Sequence, residues 1–374
     1  MGIVKKIIFM NSRSLCWAQY ATPAFIVLTF FRFYAEKEII TSLLSILIII
    51  SGLIICSQYI IKSFSKSAIG IWLFIMLAGN IACIGTNSNS TQLASIALIS
   101  NIGFGLIFHN TPQNQLHYKI LAIVFSFFFT THMILGVNPE NIFTVSRNFI
   151  SVLMLMILSG YFVSCEKSNT PPSLSITLFS QLPFLYGIGR AGIISGALLL
   201  IIAILSSKNK IKTYSVSTII LTPILFFLLT FGTEIDALLT GIERFERLGG
   251  GGQRSFINEE YISLAIKSPT YILFGAPLSA VQAIIDVDGN PHNSFIRLHI
   301  SFGIVGVIST AALIIAALIM LSRKGRNITA LVLIIVLFRS AVDSAAFYGP
   351  LDFVIIYCIL EAFATKSHSG QNIK

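Results

Sequence analysis

The chain is a succession of apolar runs, each about 20 residues long, separated by short polar or charged breaks. A run of that length is what one helix needs to cross the hydrocarbon of a bilayer. Bounded by charges or by Asn, Gly, Pro and Ser clusters, such runs lie near 15–33, 39–61, 68–85, 92–109, 119–136, 147–165, 173–187, 191–206, 214–232, 294–321, 327–345 and 349–366. The seventh and eighth are short, which fits tilted or re-entrant segments or one broken helix. Composition points the same way. Of 374 residues, 55% are hydrophobic and 11% are charged, whereas a soluble domain carries about 25% charged residues. A cytosolic enzyme, a disordered chain and an ordinary nucleic-acid binder are thereby excluded. The expected fold class is an all-α polytopic membrane protein of about 12 transmembrane helices.

Charge placement supplies an independent test. The formal net charge is +10, and basic residues collect on the cytoplasmic side of membrane proteins. With the N-terminus inside, the inner segments hold Lys5, Lys6, Arg13, Lys62, Lys66, Lys119, Lys167, Lys208, Lys210, Lys212, Arg323, Lys324, Arg326, Lys366 and Lys374. The short outer loops hold only Arg32, Lys37, Arg147, Arg190 and Arg339. Both termini are therefore expected in the cytoplasm, and the basic excess is an imprint of insertion rather than a sign of an anionic partner. Lys5 and Lys6 precede a long apolar stretch without a convincing cleavage site, which reads as a retained first span. The 5 cysteines fall in or at the ends of spans without CxxC spacing, so they read as small apolar side chains rather than a disulfide framework or metal site.

The membrane pattern stops between Phe231 and Pro291, where charges crowd together. Three regions follow: a membrane bundle over 1–232 with about nine spans, a large outer loop over 233–293, and a second bundle over 294–374 with about three spans. The two bundles are expected to form one integrated membrane domain. Within the loop, 255–267 and 277–286 read as short amphipathic helices, the first carrying Phe256, Ile257, Tyr261, Leu264 and Ala265 as its apolar stripe. Long loops in compact proteins are usually functional, and these helices are expected to roof a cavity at the outer boundary; a solvated connector is the alternative.

Several motif matches carry no chemistry. Gly187-Ile-Gly189-Arg190-Ala-Gly192 fits GxGxxG but joins two apolar spans without a βαβ unit. Gly249 to Gly252 lacks the Lys of a phosphate loop. Asp286-Val-Asp288-Gly-Asn290 resembles the start of a calcium loop, but its glycine is misplaced and Arg297 stands where the bidentate Glu belongs. Four features remain. Arg190 lies among glycines at an outer span end, where a guanidinium fork suits phosphate, or merely snorkels. Arg254 follows the glycine run at a helix start, as a ligand or a solvated charge. Pro291-His292-Asn293-Ser294 marks the return into the membrane, with Pro and Asn suited to a helix start. Arg297 and His299 follow within that span, where ionisable groups serve function or pair with one another. Arg339 and Asp343, four residues apart, are expected to pair.

The run Pro291-His-Asn-Ser-Phe-Ile-Arg-Leu-His299, continuing to Gly303 and Gly306, is similar to the His-Asn signature of the O-antigen polymerase and O-antigen ligase superfamily. The Gly189-Arg190 element and Arg254, with the helix after it, resemble the other two elements of that family in order and spacing. Gly189 stands where many relatives carry Ser. The resemblance implies a metal-independent, inverting glycosyltransferase of the bacterial inner membrane without a cofactor. Its substrate would be a glycan linked to undecaprenyl diphosphate, used on the periplasmic side. It also implies His292 as general base, Arg190 and Arg254 as diphosphate ligands, and Asn293, Arg297 and His299 as supporting residues. The loose match favours a polymerase, which passes the growing glycan to the next lipid-linked repeat unit. A ligase acting on lipid A–core is the alternative. A flippase for the same lipid-linked sugars would hold its key charges nearer the bilayer midplane. The bilayer is one partner, a chain-length regulator is another candidate, and nucleic acid is none.

Overall fold

The computed structural model describes residues 12–63, 68–86, 92–207, 253–286 and 290–364. The expected span at 214–232, the glycine run at 249–252, Asp288 and both termini lie outside the described residues. Among the described residues every regular element is helical. The first bundle comprises α1 (Ser12–Tyr34), α2 (Glu38–Ser63), α3 (Ala68–Thr86), α4 (Gln92–Asn110), α5 (Gln115–Ile134), α6 (Asn148–Lys167), α7 (Leu174–Phe179), α8 (Gln181–Tyr186) and α9 (Arg190–Ser206). The outer loop contributes α10 (Gln253–Ala265), α11 (Pro269–Phe274), a 3-10 turn at Leu278–Ala280 and α12 (Gln282–Ile285). The last bundle is α13 (Ser294–Arg323), α14 (Asn327–Ala341) and α15 (Asp352–Phe363).

Six helices, α2 to α6 and α13, are long and apolar enough to cross a membrane by length and composition. The run at 173–187 is a broken helix, split at Ser180 into α7 and α8. Two further apolar helices among the described residues are also shorter, Arg190–Ser206 and Asn327–Ala341. The distribution of burial fits a polytopic membrane protein. In α6, 94% of the apolar window is buried, so this helix, hydrophobic all round, forms the centre. In α2 the figure is 17%, and large apolar side chains such as Leu43, Phe74, Ile81, Phe127 and Ile308 stand exposed. Water does not tolerate apolar surface on that scale, whereas lipid covers it without cost.

Helices in lipid gain little from burying apolar groups against each other, so close backbone approach must hold them. α2 and α4 cross in this way at two glycines: a Cβ on Gly103 would lie 2.1 Å from the Gly52 carbonyl oxygen. A second close crossing shapes the outer end. Gly303 interrupts α13 with φ 68° and ψ −176°, and a Cβ there would lie 2.3 Å from the Leu273 carbonyl oxygen at the end of α11. The Ser301 carbonyl beside this kink accepts from Asn80 Nδ2 at 2.8 Å, and Asn80 Oδ1 accepts from Ser95 at 2.8 Å. The kink is thus paired with α3, and the Ser301 carbonyl finds its partner inside the protein.

The opposite end is closed by charge. The Glu166 carboxylate accepts from the backbone N–H groups of Ile328 (2.9 Å) and Thr329 (3.0 Å), and from the Thr329 hydroxyl. A carboxylate there meets both the free amides and the positive dipole end of α14. Arg326 pairs with Glu361 at 3.3 Å, and Lys324 Nζ donates to the carbonyls of Glu361 and Ala364 at the C-terminus of α15. The α2–α4 crossing gives a first prediction. Gly103→Val should lower the thermal midpoint of the purified protein in detergent, with an overpacking cost of about 1–3 kcal/mol. An unchanged midpoint would show that the two helices do not meet there as closely as described.

Candidate functional site

The end of the bundle that carries His292 is built by two turns that bond to each other. In the first, Asn290 Oδ1 accepts from the His292 backbone N–H at 2.9 Å and from Ser344 Oγ at 2.8 Å. His292 adopts φ 47°, in the left-handed region that a branched or bulky side chain rarely occupies. Asn293 then caps α13, its Oδ1 accepting from the amides of Phe295 (2.9 Å) and Ile296 (3.4 Å). Asn at this position satisfies two amides that would otherwise lack partners. The second turn joins α14 to α15. The buried Asp352 carboxylate accepts from the backbone N–H groups of Phe347 (2.6 Å), Tyr348 (2.6 Å) and Gly349 (3.0 Å), and from Asn101 Nδ2 at 3.1 Å. These bonds hold Phe347 and Tyr348 at φ 55° and 75°. Ser294 Oγ joins the two turns, donating to the Asp343 carbonyl at 2.6 Å and accepting from the Ala346 amide at 3.0 Å.

Between these turns, the end of α1 and the start of α6 lies a cavity of about 460 Å³. Arg32, Asn148, His292, Arg297, Asp343 and Tyr348 supply its main polar lining. His292 Nδ1 lies 3.9 Å from Asp343 Oδ1. That separation is too long for a hydrogen bond, and Nδ1 is buried without one. Asp343 Oδ2 accepts from Arg339 Nη2 at 2.9 Å, so the ion pair expected from the i, i+4 spacing is present. The Arg339 side chain is 1% exposed, and the same nitrogen reaches the Asn148 carbonyl (3.2 Å) and Ser151 Oγ (3.3 Å). A series Arg339–Asp343–His292 therefore runs from the core to the cavity wall. Arg297 lies flat over the Tyr348 ring, 3.5 Å from its centroid, and donates to the Ser344 carbonyl at 3.2 Å. Stacking of this kind holds the guanidinium plane while leaving its edge available.

Of the residues singled out from the sequence, His292 and Arg297 line the cavity. Asn293 caps the helix beneath it and donates to Asn258 Oδ1 at 3.3 Å. His299 is engaged elsewhere: Nδ1 meets the Tyr261 hydroxyl and Nε2 meets the Ile272 carbonyl, both at 2.8 Å. A carbonyl only accepts, so Nε2 carries the proton and Tyr261 donates to Nδ1. Burial pushes the Tyr261 phenol above its ordinary pKa, keeping that donor protonated. His299 thus pins α10 and α11 to α13. The same contact set buries Ile257, Tyr261 and Ala265 of the expected stripe against Ile296 and Ile300. Phe256, by contrast, points outward at 51% exposure. The stretch read as one helix over 277–286 is a 3-10 turn and the single turn α12, whose first amides are held by Glu260.

Arg190 opens α9 and is exposed. The glycine before it lies against the cavity wall: a Cβ on Gly189 would come 2.6 Å from Asn148 Oδ1. A serine at this position would require the Asn148 side chain to shift. Arg254 falls in the first turn of α10, and its side chain lies outside the described residues. Sequence reasoning overlooked Arg32, counted only as a loop charge, and Tyr348. It also read Arg339 and Asp343 as a pair without a link to His292. A basic residue in the last turn of the first apolar run was the available signal for Arg32. Among the described residues no group of three or more His, Cys, Asp or Glu side chains is arranged to hold a metal ion. The cavity's guanidinium groups suit an anion instead.

The buried pair gives the second prediction. Asp343→Ala should destabilise the protein by about 3–5 kcal/mol, because it leaves the Arg339 charge buried and unpaired. Adding Arg339→Met to that variant should restore part of the loss, read by thermal unfolding of both proteins. A double variant no more stable than Asp343→Ala alone would show that the charge is not the cause. No protein-family model, no curated protein and no solved structure matches the chain, so its geometry and chemistry carry the functional reading.

Proposed function

We propose that the chain is a membrane glycosyltransferase that polymerises surface-polysaccharide repeat units carried on undecaprenyl diphosphate. The carrying observation is the His292 imidazole at the cavity wall, backed by Asp343 and, behind it, the buried Arg339. With a proton on Nδ1 facing Asp343, Nε2 is the basic nitrogen. The acceptor hydroxyl attacks the donor's C1 on the face opposite the diphosphate and passes its proton to His292 Nε2. The C1–O bond breaks, its electron pair leaves on the diphosphate, and the anomeric centre inverts. Asp343 stabilises the imidazolium, and Arg339 holds Asp343 in place. A positioned base of this kind typically contributes about 10²–10⁴-fold. Arginines near the leaving group stabilise the charge that grows on it.

In this reading the chain crosses the inner membrane about twelve times, with both termini in the cytoplasm and the cavity facing the periplasm. The exposed apolar flanks of the helices fit a substrate whose lipid tail stays in the bilayer. Arg190, beside the cavity wall, and Arg254, at the start of the loop helix, are assigned to the donor diphosphate. The bilayer and the lipid-linked glycan are the partners, and a chain-length regulator is a candidate third.

Deletion followed by lipopolysaccharide gel analysis tests the assignment. Loss of a polymerase leaves core bearing one repeat unit. Bare core with polymer held on the lipid carrier would identify a ligase instead, and purified protein that moves lipid-linked glycan without extending or transferring it would identify a flippase. His292→Ala should lower the transfer rate by at least about 100-fold at unchanged thermal stability. A wild-type rate would remove His292 from the base role.

A further inference from the structure

Among the described residues, the charges that line the cavity do not balance. Asp343 is its acidic wall residue among those described, and that carboxylate is committed to Arg339. Arg32 and Arg297 line the same space. The Arg32 guanidinium lies 4.8 Å from the Phe33 ring centroid, and its Nε is buried without a hydrogen-bond partner. Arg297 spends one nitrogen on the Ser344 carbonyl and its face on Tyr348. Neither forms an ion pair among the described residues, and the two are near enough to repel each other. Two guanidinium charges facing one small cavity are costly unless an anion joins them.

We infer that Arg32 and Arg297 together form a seat for a phosphate-type dianion beside His292, a pair of ligands additional to Arg190 and Arg254. Two charges are what the pair leaves uncompensated. A diphosphate or phosphate monoester supplies both, while a single carboxylate supplies one. Each guanidinium can offer two parallel N–H donors to phosphate oxygens. The Tyr348 stack orients the Arg297 fork, and Phe33 flanks that of Arg32. The inference deepens the proposed reaction and rests on it only for the source of the anion, the lipid-linked donor: the leaving diphosphate would sit between the two arginines with its sugar toward His292.

The full chain in phosphatidylcholine nanodiscs, titrated with inorganic diphosphate by calorimetry, tests it. Wild type should bind diphosphate and bind acetate at least about tenfold more weakly. Arg32→Gln and Arg297→Gln should each weaken diphosphate binding about tenfold or more, and the double variant should abolish it. Arg32→Lys and Arg297→Lys keep the charge without the fork, so they should bind more weakly than wild type at an unchanged melting point; they carry the test if the Gln variants misfold. Wild-type affinity in both single Lys variants and in whichever Gln variants fold would overturn the seat, as would absence of binding by wild type. Acetate binding as tightly as diphosphate would overturn the phosphate class. If diphosphate binds as expected but purified protein transfers no glycan from a lipid diphosphate, the anion seat stands and the proposed reaction falls.

Discussion

A guanidinium buried to 1% exposure inside an apolar helix bundle is the constraint on which the outer end of this protein depends. A guanidinium is a permanent cation, so a fold that buries one, here that of Arg339, must bring it a carboxylate and hydrogen-bond acceptors. Asp343, one helical turn on, supplies the first, and the start of α6 supplies the others through Asn148 and Ser151. The helix α14 ends at Ala341, just before Asp343. The chain beyond it folds into the turn that Asp352 gathers by its backbone amides. Ser344 and Ala346 of that turn bond to Asn290 and Ser294, so the turn fixes the loop on which His292 sits. The cavity is the space these commitments leave between them.

The other end of the bundle uses charges for a different purpose. Glu166, Arg326, Glu361 and Lys324 satisfy helix termini and one another, and join α6, α14 and α15. There Arg326 meets a carboxylate, and Lys324 and Lys167 meet carbonyls. At the end that carries His292, Arg32 and Arg297 line a cavity and, among the described residues, meet no carboxylate in an ion pair. Self-satisfied charges tie helices together, whereas charges left facing a cavity are available to a ligand. This contrast, more than the number of charges, separates the structural end from the candidate site.

Much of the helical arrangement was legible because transmembrane length and apolar composition are local properties. The runs near 39–61, 68–85, 92–109 and 147–165 coincide closely with α2, α3, α4 and α6. Asn293 as a helix cap and the Arg339–Asp343 pair were legible for the same reason, since both depend on spacing within one helix or its first turn. His299 shows where such reasoning ends. Its position inside an apolar run marked it as a supporting residue of the site, but which partners meet it depends on where α10 and α11 fold back. Tyr261 and Ile272 take both its nitrogens. Arg32 shows the converse: nothing near it in sequence distinguishes it from a snorkelling cation.

The sequence by itself determined that the chain is helical and built for an apolar surrounding, because each apolar run of about 20 residues carries that requirement independently. It also determined the individual caps, pairs and breaks, since their partners lie within a few residues. Only the tertiary structure decided which charges meet. Residues 32, 148, 292, 297 and 343 come from four separate segments of chain. They converge because a kink at Gly303, a buried ion pair and a carboxylate-held turn fix how those segments pack. Electrostatic fit depends on distance and burial, and neither is a property of any single stretch of sequence.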